Sequence, residues 1–232
     1  MPQYLADINA DIFTITGDEA KHLAAAMRAQ AGDSIKIFDG NGKKFAAVIK
    51  NVSKSLVSGT IERELPVKLP YYNLTLCFAP VGRGEVEEIL DKGTQLGVSR
   101  FLPIITARTE HDVIKKWDSK KDRWESIILA AVKQCETGNI PALLAPVKFA
   151  AALENDGVNI MAYEREEATT LLSALGQEKS INIFIGPVGG FTDEEAALAL
   201  SKGAKLCTLG VNIMRAETAA IAAAAITLQK SY

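Results

Sequence analysis

The sequence lacks the residue clusters that mark most metal, disulfide and hydrolase sites. Its three cysteines, Cys77, Cys135 and Cys207, lie far apart without C-x-x-C spacing, and only two histidines are present in 232 residues. We therefore expect reduced, buried thiols and no bound metal. The sequence also lacks three common motifs, H-E-x-x-H, G-x-G-x-x-G and G-x-x-x-x-G-K-[ST]. No plausible Ser-His-Asp set is present. Zinc proteases, P-loop enzymes and serine hydrolases are thus disfavoured.

Membrane and secretion signals are absent as well. No uninterrupted apolar run reaches the roughly 18 residues of a membrane span, and the N-terminal residues lack the order of a signal peptide, so we expect a cytoplasmic protein. A net charge of −2 argues against a uniformly basic nucleic-acid binder but allows a local basic patch. The segment from Ser34 to Ile61 carries five lysines and one acid, Asp39. A solvated face is the simplest interpretation of such a run.

The first part of the sequence is patterned as short strands. We predict strands over 12–15, 34–38, 44–50 and 55–61, with one helix at about 18–28. The turn sequence Asp39-Gly40-Asn41-Gly42 separates two of these strands. The pattern predicts a small antiparallel barrel over residues 1–66, followed by a linker between Pro66 and Pro70.

From residue 70 to residue 232, strands alternate with helices, which predicts an α/β domain with a mainly parallel sheet covered on both faces. The expected strands are 74–79, 101–106, 158–163, 181–185 and 205–209. Thr192 and Glu195 form a capping-box pattern that begins a helix over about 193–202. A last helix over 217–229 is apolar on nearly all sides, so we expect it to be covered, within the fold or at a subunit interface.

Two glycine-bearing segments, residues 185–191 and residues 209–219, each follow a predicted strand and open a predicted helix. Both are expected at the carboxyl edge of the sheet, where open α/β folds bind ligands. Gly186, Gly189 and Gly190 can adopt positive φ and bring main-chain N–H groups close to a ligand. Alone, such a glycine turn is more often a tight strand-to-helix connection than a ligand site.

The second segment adds polar chemistry at the same edge through Asn212, Arg215, Glu217 and Thr218. A helix-terminal ion pair between Arg215 and Glu217, with Thr218 as a cap, is the simplest interpretation. Taken together, the two segments predict a pocket with apolar walls, main-chain hydrogen-bonding groups, one arginine and one carboxylate. Such a pocket suits an adenosine-like group better than a polyanion.

These segments also carry a family resemblance. Residues 209–219 resemble the signature LG-x-x-ILRAETA, and Gly186–Phe191 resembles GPEGGF, of the ribosomal RNA uridine-N3 methyltransferases, the RsmE family of the SPOUT superfamily. Lys92–Val98 is similar to that family's KATELGV stretch, and His22–Arg28 to its H-x-x-x-V-L-R helix. Gly32-Asp33 followed by Phe38-Asp39-Gly40 is similar to its GD…DG hairpin. The matches span both parts of the chain in the expected order.

The resemblance implies a PUA-like RNA-binding β-barrel followed by a SPOUT α/β domain with a trefoil knot. It also implies a homodimer that binds S-adenosylmethionine in the knot. The residues expected to contact this cofactor are Ile185, Gly186, Pro187, Gly189, Gly190, Leu209, Gly210, Ile213, Met214, Arg215 and Thr218. For catalysis we expect Arg215 to stabilise charge developing on the uracil oxygens and Glu217 to orient Arg215 or assist deprotonation. The residues expected to bind RNA are His22, Arg28, Lys43 and Lys44, although His22 is also compatible with a packed or capping role.

The implied function is S-adenosylmethionine-dependent methylation of N3 of a specific uridine in 16S ribosomal RNA within the 30S subunit. The sequence departs from the family pattern at Val188, where glutamate is usual, and at Thr137, where an arginine is common. These departures leave open an RNA- or ribosome-binding homologue that has lost or changed its methyltransferase activity. A nicotinamide-dependent enzyme is disfavoured because the dinucleotide glycine pattern is missing.

Overall fold

The structure is a computed structural model that describes residues 3–109 and 111–229. It contains two compact units, one of Met1–Lys68 with Leu129–Ile140 and one of Leu69–Ile128 with Pro141–Tyr232. The sequence places a boundary between residues 66 and 70, but it gave no reason to expect that residues 129–140 join the first unit. No described helix is both long enough and apolar enough to cross a membrane.

The first unit contains a curled six-stranded sheet that forms a half-barrel. Its strands are β1 (Gln3–Leu5), β2 (Asp7–Asn9), β3 (Ile12–Thr16), β4 (Ser34–Phe38), β5 (Lys44–Val52) and β6 (Leu56–Leu65). They lie in the order β1-β4-β5-β6-β3-β2. All pairs are antiparallel except β1 with β4, which is parallel. The four predicted strands therefore pair antiparallel as expected, whereas β1 and β2 were not predicted.

The curl of this sheet has a local cause in β5. Its register with β6 shifts between Ala46 and Ala47 and again between Ile49 and Asn51, and such irregularities bend a strand and increase its twist. The bend closes the sheet around an apolar core that includes Phe13, Ile37 and Ile49, all fully buried.

The single helix predicted over residues 18–28 is divided. Helix α1 (Gly17–Lys21) passes directly into a π-helical segment, His22–Ala26, in which the Met27 N–H donates to the His22 carbonyl at 3.1 Å. Arg28 then takes a left-handed conformation with φ of 52°. π-Helical turns are rare and are frequently found at functional sites. The segment therefore displays His22 and Arg28 on an irregular, exposed turn.

The second unit contains a seven-stranded sheet in which every pair is parallel. Its strands are β7 (Asn73–Phe78), β8 (Arg100–Ile105), β9 (Ala142–Leu143), β10 (Val147–Lys148), β11 (Val158–Ala162), β12 (Ser180–Ile185) and β13 (Lys205–Cys207). The order is β10-β8-β7-β12-β11-β13, with β9 also paired to β8. The five predicted strands are all confirmed to within two residues at each end, whereas β9 and β10 were not predicted.

Helices flank these strands. They are α2 (Arg83–Leu96), α3 (His111–Lys115), α4 (Trp117–Cys135), α5 (Phe149–Ala152), α6 (Leu171–Ala174), α7 (Asp193–Ser201) and α8 (Ala216–Gln229). The capping box of α7 is confirmed, because the Thr192 hydroxyl accepts from the Glu195 N–H and the Glu195 carboxylate accepts from the Thr192 N–H. Helix α8 packs on α2, β7 and β12 and buries Ala220, Ala223 and Leu228 among others, so part of its apolar surface is covered within the unit.

Candidate active site

A cavity of about 640 Å³ lies where four neighbouring strands of the second unit end. Strands β7, β12, β11 and β13 are adjacent in that order, and the segment that follows each of them contributes to the wall. The contributing segments are 81–85, 162–164, 185–191 and 208–219. The cavity thus occupies the carboxyl edge of the parallel sheet, which is the expected place for a ligand in this architecture.

Most of the residues expected to bind the cofactor line this cavity. They are Ile185, Gly186, Pro187, Gly190, Leu209, Gly210, Ile213, Met214 and Arg215, and the candidate catalytic residue Glu217 lies with them. Two expected residues are placed elsewhere. Gly189 contacts Arg108 outside the cavity lining, and Thr218 is exposed on the first turn of α8. The structure therefore brings both glycine segments into one site.

The first glycine segment is a tight turn in which a side chain would be strained or crowded at both ends. The Gly190 N–H donates to the Pro187 carbonyl at 2.9 Å, and Gly190 has φ of 69°. A Cβ added to Gly186 would lie 3.0 Å from the ring of Phe191, which is itself buried in the core. Because the ring has little room to move, residue 186 must stay small for the chain to turn over the end of β12.

The segment after the turn is held by charged and aromatic side chains. Asp193 accepts from the Tyr163 hydroxyl at 2.5 Å and from the Arg165 guanidinium at 2.7 and 2.8 Å. The hydrogen bond from Tyr163, followed by those from Arg165, lowers the pKa of Asp193 below its ordinary value. The bond to Asp193 in turn raises the pKa of Tyr163. Residues at the end of β11 are thereby tied to the start of α7.

The second glycine segment is an irregular loop between β13 and α8. The Thr208 hydroxyl accepts from the Gly210 N–H at 3.2 Å, and Gly210 has φ of 141°. A Cβ added to Gly210 would meet no atom within 4 Å, so the backbone here faces open space. Val211 and Ile213 are exposed, at 101% and 87% of their full accessible surface. This loop presents both backbone and apolar side chains to whatever occupies or covers the cavity.

Arg215 and Glu217 do not form the helix-terminal ion pair that was the simplest interpretation of their spacing. Among the residues that the structure describes, neither side chain has an ion-pair or hydrogen-bond partner. Arg215 is exposed directly before α8, and Glu217 is half-buried in its first turn. Both charged groups therefore remain available to ligands at the N-terminal end of α8.

Sequence reasoning missed the residues that β7 and β11 contribute to the cavity. They are Val81, Gly82, Glu85, Ala162, Tyr163 and Glu164. Both strands were predicted, so the rule that placed the other two loops at the carboxyl edge applied to these loops as well. With Glu85, Glu164 and Glu217 against Arg215, the lining carries an excess of negative charge. No three potential metal ligands converge within the described ranges of the chain.

The residues expected to bind RNA lie in the first unit and differ in their exposure to solvent and in their contacts within the protein. His22, Arg28 and Lys43 are exposed. Lys44 is half-buried, and its ammonium donates to the Glu136 carbonyl at 2.6 Å. Lys44 thus has a structural contact that the sequence did not indicate.

Two sequence families match the chain. The family described as "RNA methyltransferase domain" matches residues 67–228, and the one described as "RNA methyltransferase PUA domain" matches residues 15–62. Ribosomal RNA small subunit methyltransferase E of Bacillus subtilis is 31% identical over 238 residues, which cover 95% of this chain and 91% of that protein. The chain belongs to the ribosomal RNA small subunit methyltransferase E family. The resemblance stated from the motifs is thereby confirmed.

Other proteins are similar to this chain in sequence and in fold. The enzyme of Synechocystis is 31% identical over 216 residues, or 89% of this chain and 69% of that protein. The crystal structure of methyltransferase E from Neisseria gonorrhoeae bound to S-adenosyl methionine superposes with a TM-score of 0.85 at 27% identity, covering 97% and 95% of the two chains. A putative methyltransferase from Legionella pneumophila in complex with the same cofactor gives 0.84 at 26% identity, covering 99% and 96%.

Proposed function

We propose that this chain transfers the methyl group of S-adenosylmethionine to N3 of a specific uridine in 16S ribosomal RNA within the 30S subunit. The observation that carries the proposal is the meeting of both signature loops, residues 185–191 and 208–219, in one cavity at the sheet's carboxyl edge. Solved relatives with similar folds are bound to S-adenosylmethionine.

The cavity suits this cofactor in size and chemistry. Its volume of about 640 Å³ lies within the range of small-molecule sites. Ile185, Leu209 and Met214 supply apolar wall for an adenosine group, and Gly210 leaves its backbone open to the cavity. The excess of carboxylates favours a ligand with cationic groups, such as a sulfonium and an ammonium. When bound, the cofactor supplies an electrophilic methyl group, so the protein needs neither a metal nor a covalent nucleophile.

The protein must then bind the uracil, orient it and manage the N3 proton. Loss of that proton places negative charge on the ring and its two flanking oxygens. Arg215 supplies a guanidinium that has no partner among the described residues, at the N-terminal end of α8, where the helix dipole also favours negative charge. Glu217, half-buried in the first turn of the same helix, orients Arg215 or accepts the proton directly or through water. These proposed roles rest on two charges beside the cofactor loops that the described part of the chain leaves without partners.

RNA is held by the first unit in this proposal. His22 and Arg28 on the π-helical turn and Lys43 on the β4–β5 hairpin are exposed and can contact phosphates. Such contacts position the substrate without reading its sequence and weaken steeply with salt. The match of residues 15–62 to an RNA methyltransferase PUA domain supports this division of labour.

We also propose that the chain works as a homodimer and carries the trefoil knot that the family resemblance implies. Val188, Val211 and Ile213 are exposed apolar side chains on the two cofactor loops, and a second subunit is one way to cover them. Light scattering coupled to size exclusion tests the dimer. A monomer at assay concentration would contradict this part of the proposal.

Methyl transfer is the decisive test of function. Purified protein is incubated with methyl-labelled S-adenosylmethionine and 30S subunits from cells that lack this gene, and the labelled nucleoside is identified by mass spectrometry and mapped by primer extension. We expect one 3-methyluridine in 16S RNA. Calorimetry with S-adenosylmethionine, and with NADH as a control, runs in parallel. Cofactor binding without transfer to any ribosomal particle would favour the RNA-binding homologue without turnover instead.

A further inference from the structure

Arg108 lies outside the cavity and contacts the loop that forms one of the cavity walls. It belongs to the segment after β8, and its guanidinium donates a hydrogen bond to the carbonyl of Gly189. The stem of Arg108 packs on the same glycine, since a Cβ added to Gly189 would lie 3.1 Å from Arg108 Cδ and 3.8 Å from its Cβ. No other described atom lies within 4 Å of that added Cβ. Gly189 is therefore a contact point for Arg108 and not a lining residue.

A second hydrogen bond joins the segment after β8 to helix α7, which follows the glycine loop. The Ala107 N–H donates to Glu195 Oε1 at 2.8 Å, while Glu195 Oε2 accepts from the Thr192 N–H at the start of α7. The segment after β8 thus holds the glycine loop at Gly189 and the helix that follows it at Glu195. Two attachments on either side of Phe191 fix the path of the chain between them.

The segment that carries Arg108 is itself well anchored. The buried Thr109 hydroxyl accepts from the Thr106 N–H at 2.8 Å and shares a 2.8 Å hydrogen bond with the buried Thr106 hydroxyl. This hydrogen-bonded turn fixes the position of Arg108 directly after the end of β8. The hydrogen bonds from Tyr163 and Arg165 mainly lower the pKa of Asp193, and the charge of Arg108 adds to this effect. The hydrogen bond to the Gly189 carbonyl holds the Arg108 guanidinium at the loop.

We propose that Arg108 is the positioning residue of the cofactor loop, holding Gly186–Gly190 in the conformation that binds S-adenosylmethionine. The cofactor part of this inference rests on the function proposed above. The positioning part concerns the protein alone, because the contact is made between two protein groups without any ligand. Arg108 acts through Gly189 and does not itself reach the cavity.

Hydrogen exchange in the ligand-free protein tests the positioning directly. Arg108→Met keeps the stem that packs on Gly189 but removes the donor, and Arg108→Lys keeps a cationic donor. Arg123→Ala is the matched control, because Arg123 is an exposed arginine of the same unit that pairs with Glu87 away from the cavity. We expect amides in 186–191 to exchange at least about threefold faster in Arg108→Met than in Arg123→Ala, with partial rescue in Arg108→Lys. Equal exchange in Arg108→Met and Arg123→Ala would overturn the proposal.

A double-mutant cycle on cofactor affinity tests the contact with Gly189. Calorimetry should show about tenfold weaker S-adenosylmethionine binding for Arg108→Met, the scale of losing one hydrogen bond to a charged group. Gly189→Ala should weaken binding in the wild-type background, where its methyl group meets Arg108 Cδ, and should change it less than about twofold when combined with Arg108→Ala. Equal effects of Gly189→Ala in both backgrounds would contradict the proposed contact.

The two proposals fail in different ways. If the wild type binds no S-adenosylmethionine but Arg108→Met still loosens residues 186–191, the proposed function is wrong and the positioning role stands. If the wild type binds the cofactor and Arg108→Met changes neither exchange nor affinity, the positioning role is wrong and the function stands. Melting temperatures of all variants establish that each protein is folded.

Discussion

The Lys44 ammonium donates to the main-chain carbonyl of Glu136 at 2.6 Å, while the Glu136 carboxylate accepts from Lys36 at 2.8 and 3.0 Å. Glu136 has φ of 56° and follows α4 directly. Two lysines of the basic segment therefore hold the end of that helix in the first unit. Part of the basic run seen in the sequence is therefore engaged in contacts within the protein, and only the rest is exposed to solvent.

Because Lys44 is engaged with Glu136, we expect substitutions of Lys43 and Lys44 to have different effects on RNA binding and stability. Lys43→Ala should weaken RNA binding at every salt concentration and reduce the salt slope by about one, because one phosphate contact is lost. Lys44→Ala should mainly lower the melting temperature, since its ammonium is engaged within the protein. Filter binding over a salt series, together with thermal melts, measures both. An equal loss of RNA affinity in the two variants would contradict this separation.

The Lys36–Glu136 pair also predicts a pH dependence of stability. The hydrogen bond from Lys36 is the main cause that lowers the pKa of Glu136 below its ordinary value of 4.5. A carboxyl with a depressed pKa in the folded protein stabilises it above the unfolded value, and this contribution is lost as pH falls through the folded value.

Lys36→Met should therefore lower the free energy of unfolding at neutral pH, by about 0.5 kcal/mol for a partly exposed pair. The difference between Lys36→Met and wild type should shrink as pH falls below 4.5. Urea unfolding at several pH values measures this difference. Lys50→Met is a suitable control, because Lys50 is exposed and the described part of the chain offers its ammonium no partner. A Lys36→Met effect that stays constant down to acid pH would count against the pair.

The strands of the second unit were predictable because buried parallel strands are nearly continuous apolar runs. Residues 181–185 and 74–78 are such runs, and the structure places them side by side. Strands β9 and β10 have two residues each, too few for any period to show. The change from α1 to the π-helical segment has no counterpart in the hydrophobic pattern. The assignment of residues 129–140 to the first unit depends on tertiary contacts such as that between Gln3 and Val132.

The parts of the site that could be predicted are the loops in which a glycine indicates an unusual backbone conformation. The loops at Gly186 and Gly210 were found because glycine follows an apolar run at the end of a strand. Glu164 follows β11 without any such marker, and only its place beside Gly190 reveals it. Arg108 was missed because its role depends on a contact with Gly189, 81 residues further along the chain. Contacts between distant loops are set by strand order, which the sequence alone did not provide.

Gly190 offers a test of the first cofactor loop. With φ of 69°, a side chain at this position costs about 1–2 kcal/mol of folding free energy, and an added Cβ would also lie 3.1 Å from the Glu164 carboxylate. Gly190→Ala should therefore lose both stability and S-adenosylmethionine affinity. Gly203→Ala is the matched control, since Gly203 has φ of 80° but no atom within 4 Å of an added Cβ and lies outside the cavity.

Urea unfolding and calorimetry separate the two effects of Gly190→Ala. Both glycine variants should lose comparable stability, and only Gly190→Ala should lose cofactor affinity. If Gly203→Ala weakened cofactor binding as much, the loss would reflect general destabilisation and not the shape of the loop.

The cysteines provide a chemical test of the second unit. Burial raises the pKa of Cys207 to about 12 and that of Cys77 well above its ordinary value, so neither forms a thiolate at neutral pH. The expectation of buried thiols is confirmed for these two residues, while Cys135 is only half-buried. Iodoacetamide should label Cys135 first and leave Cys77 and Cys207 unmodified until urea unfolds the chain. Rapid labelling of Cys207 in the native protein, read by peptide mass spectrometry, would contradict its placement next to the cavity loop.

Arg215 is the residue on which the proposed chemistry most depends. Removing a group that stabilises developing negative charge typically lowers turnover by about 100- to 1,000-fold, so we expect a loss of that order in kcat for Arg215→Ala. Arg215→Lys should recover part of it because a cation remains, although without the fork of donors. Arg100→Ala is the control, since Arg100 is exposed at the start of β8, away from the carboxyl edge. Single-turnover methyl transfer to 30S subunits, with cofactor affinity measured separately, distinguishes catalysis from binding. Full turnover in Arg215→Ala would remove Arg215 from the mechanism.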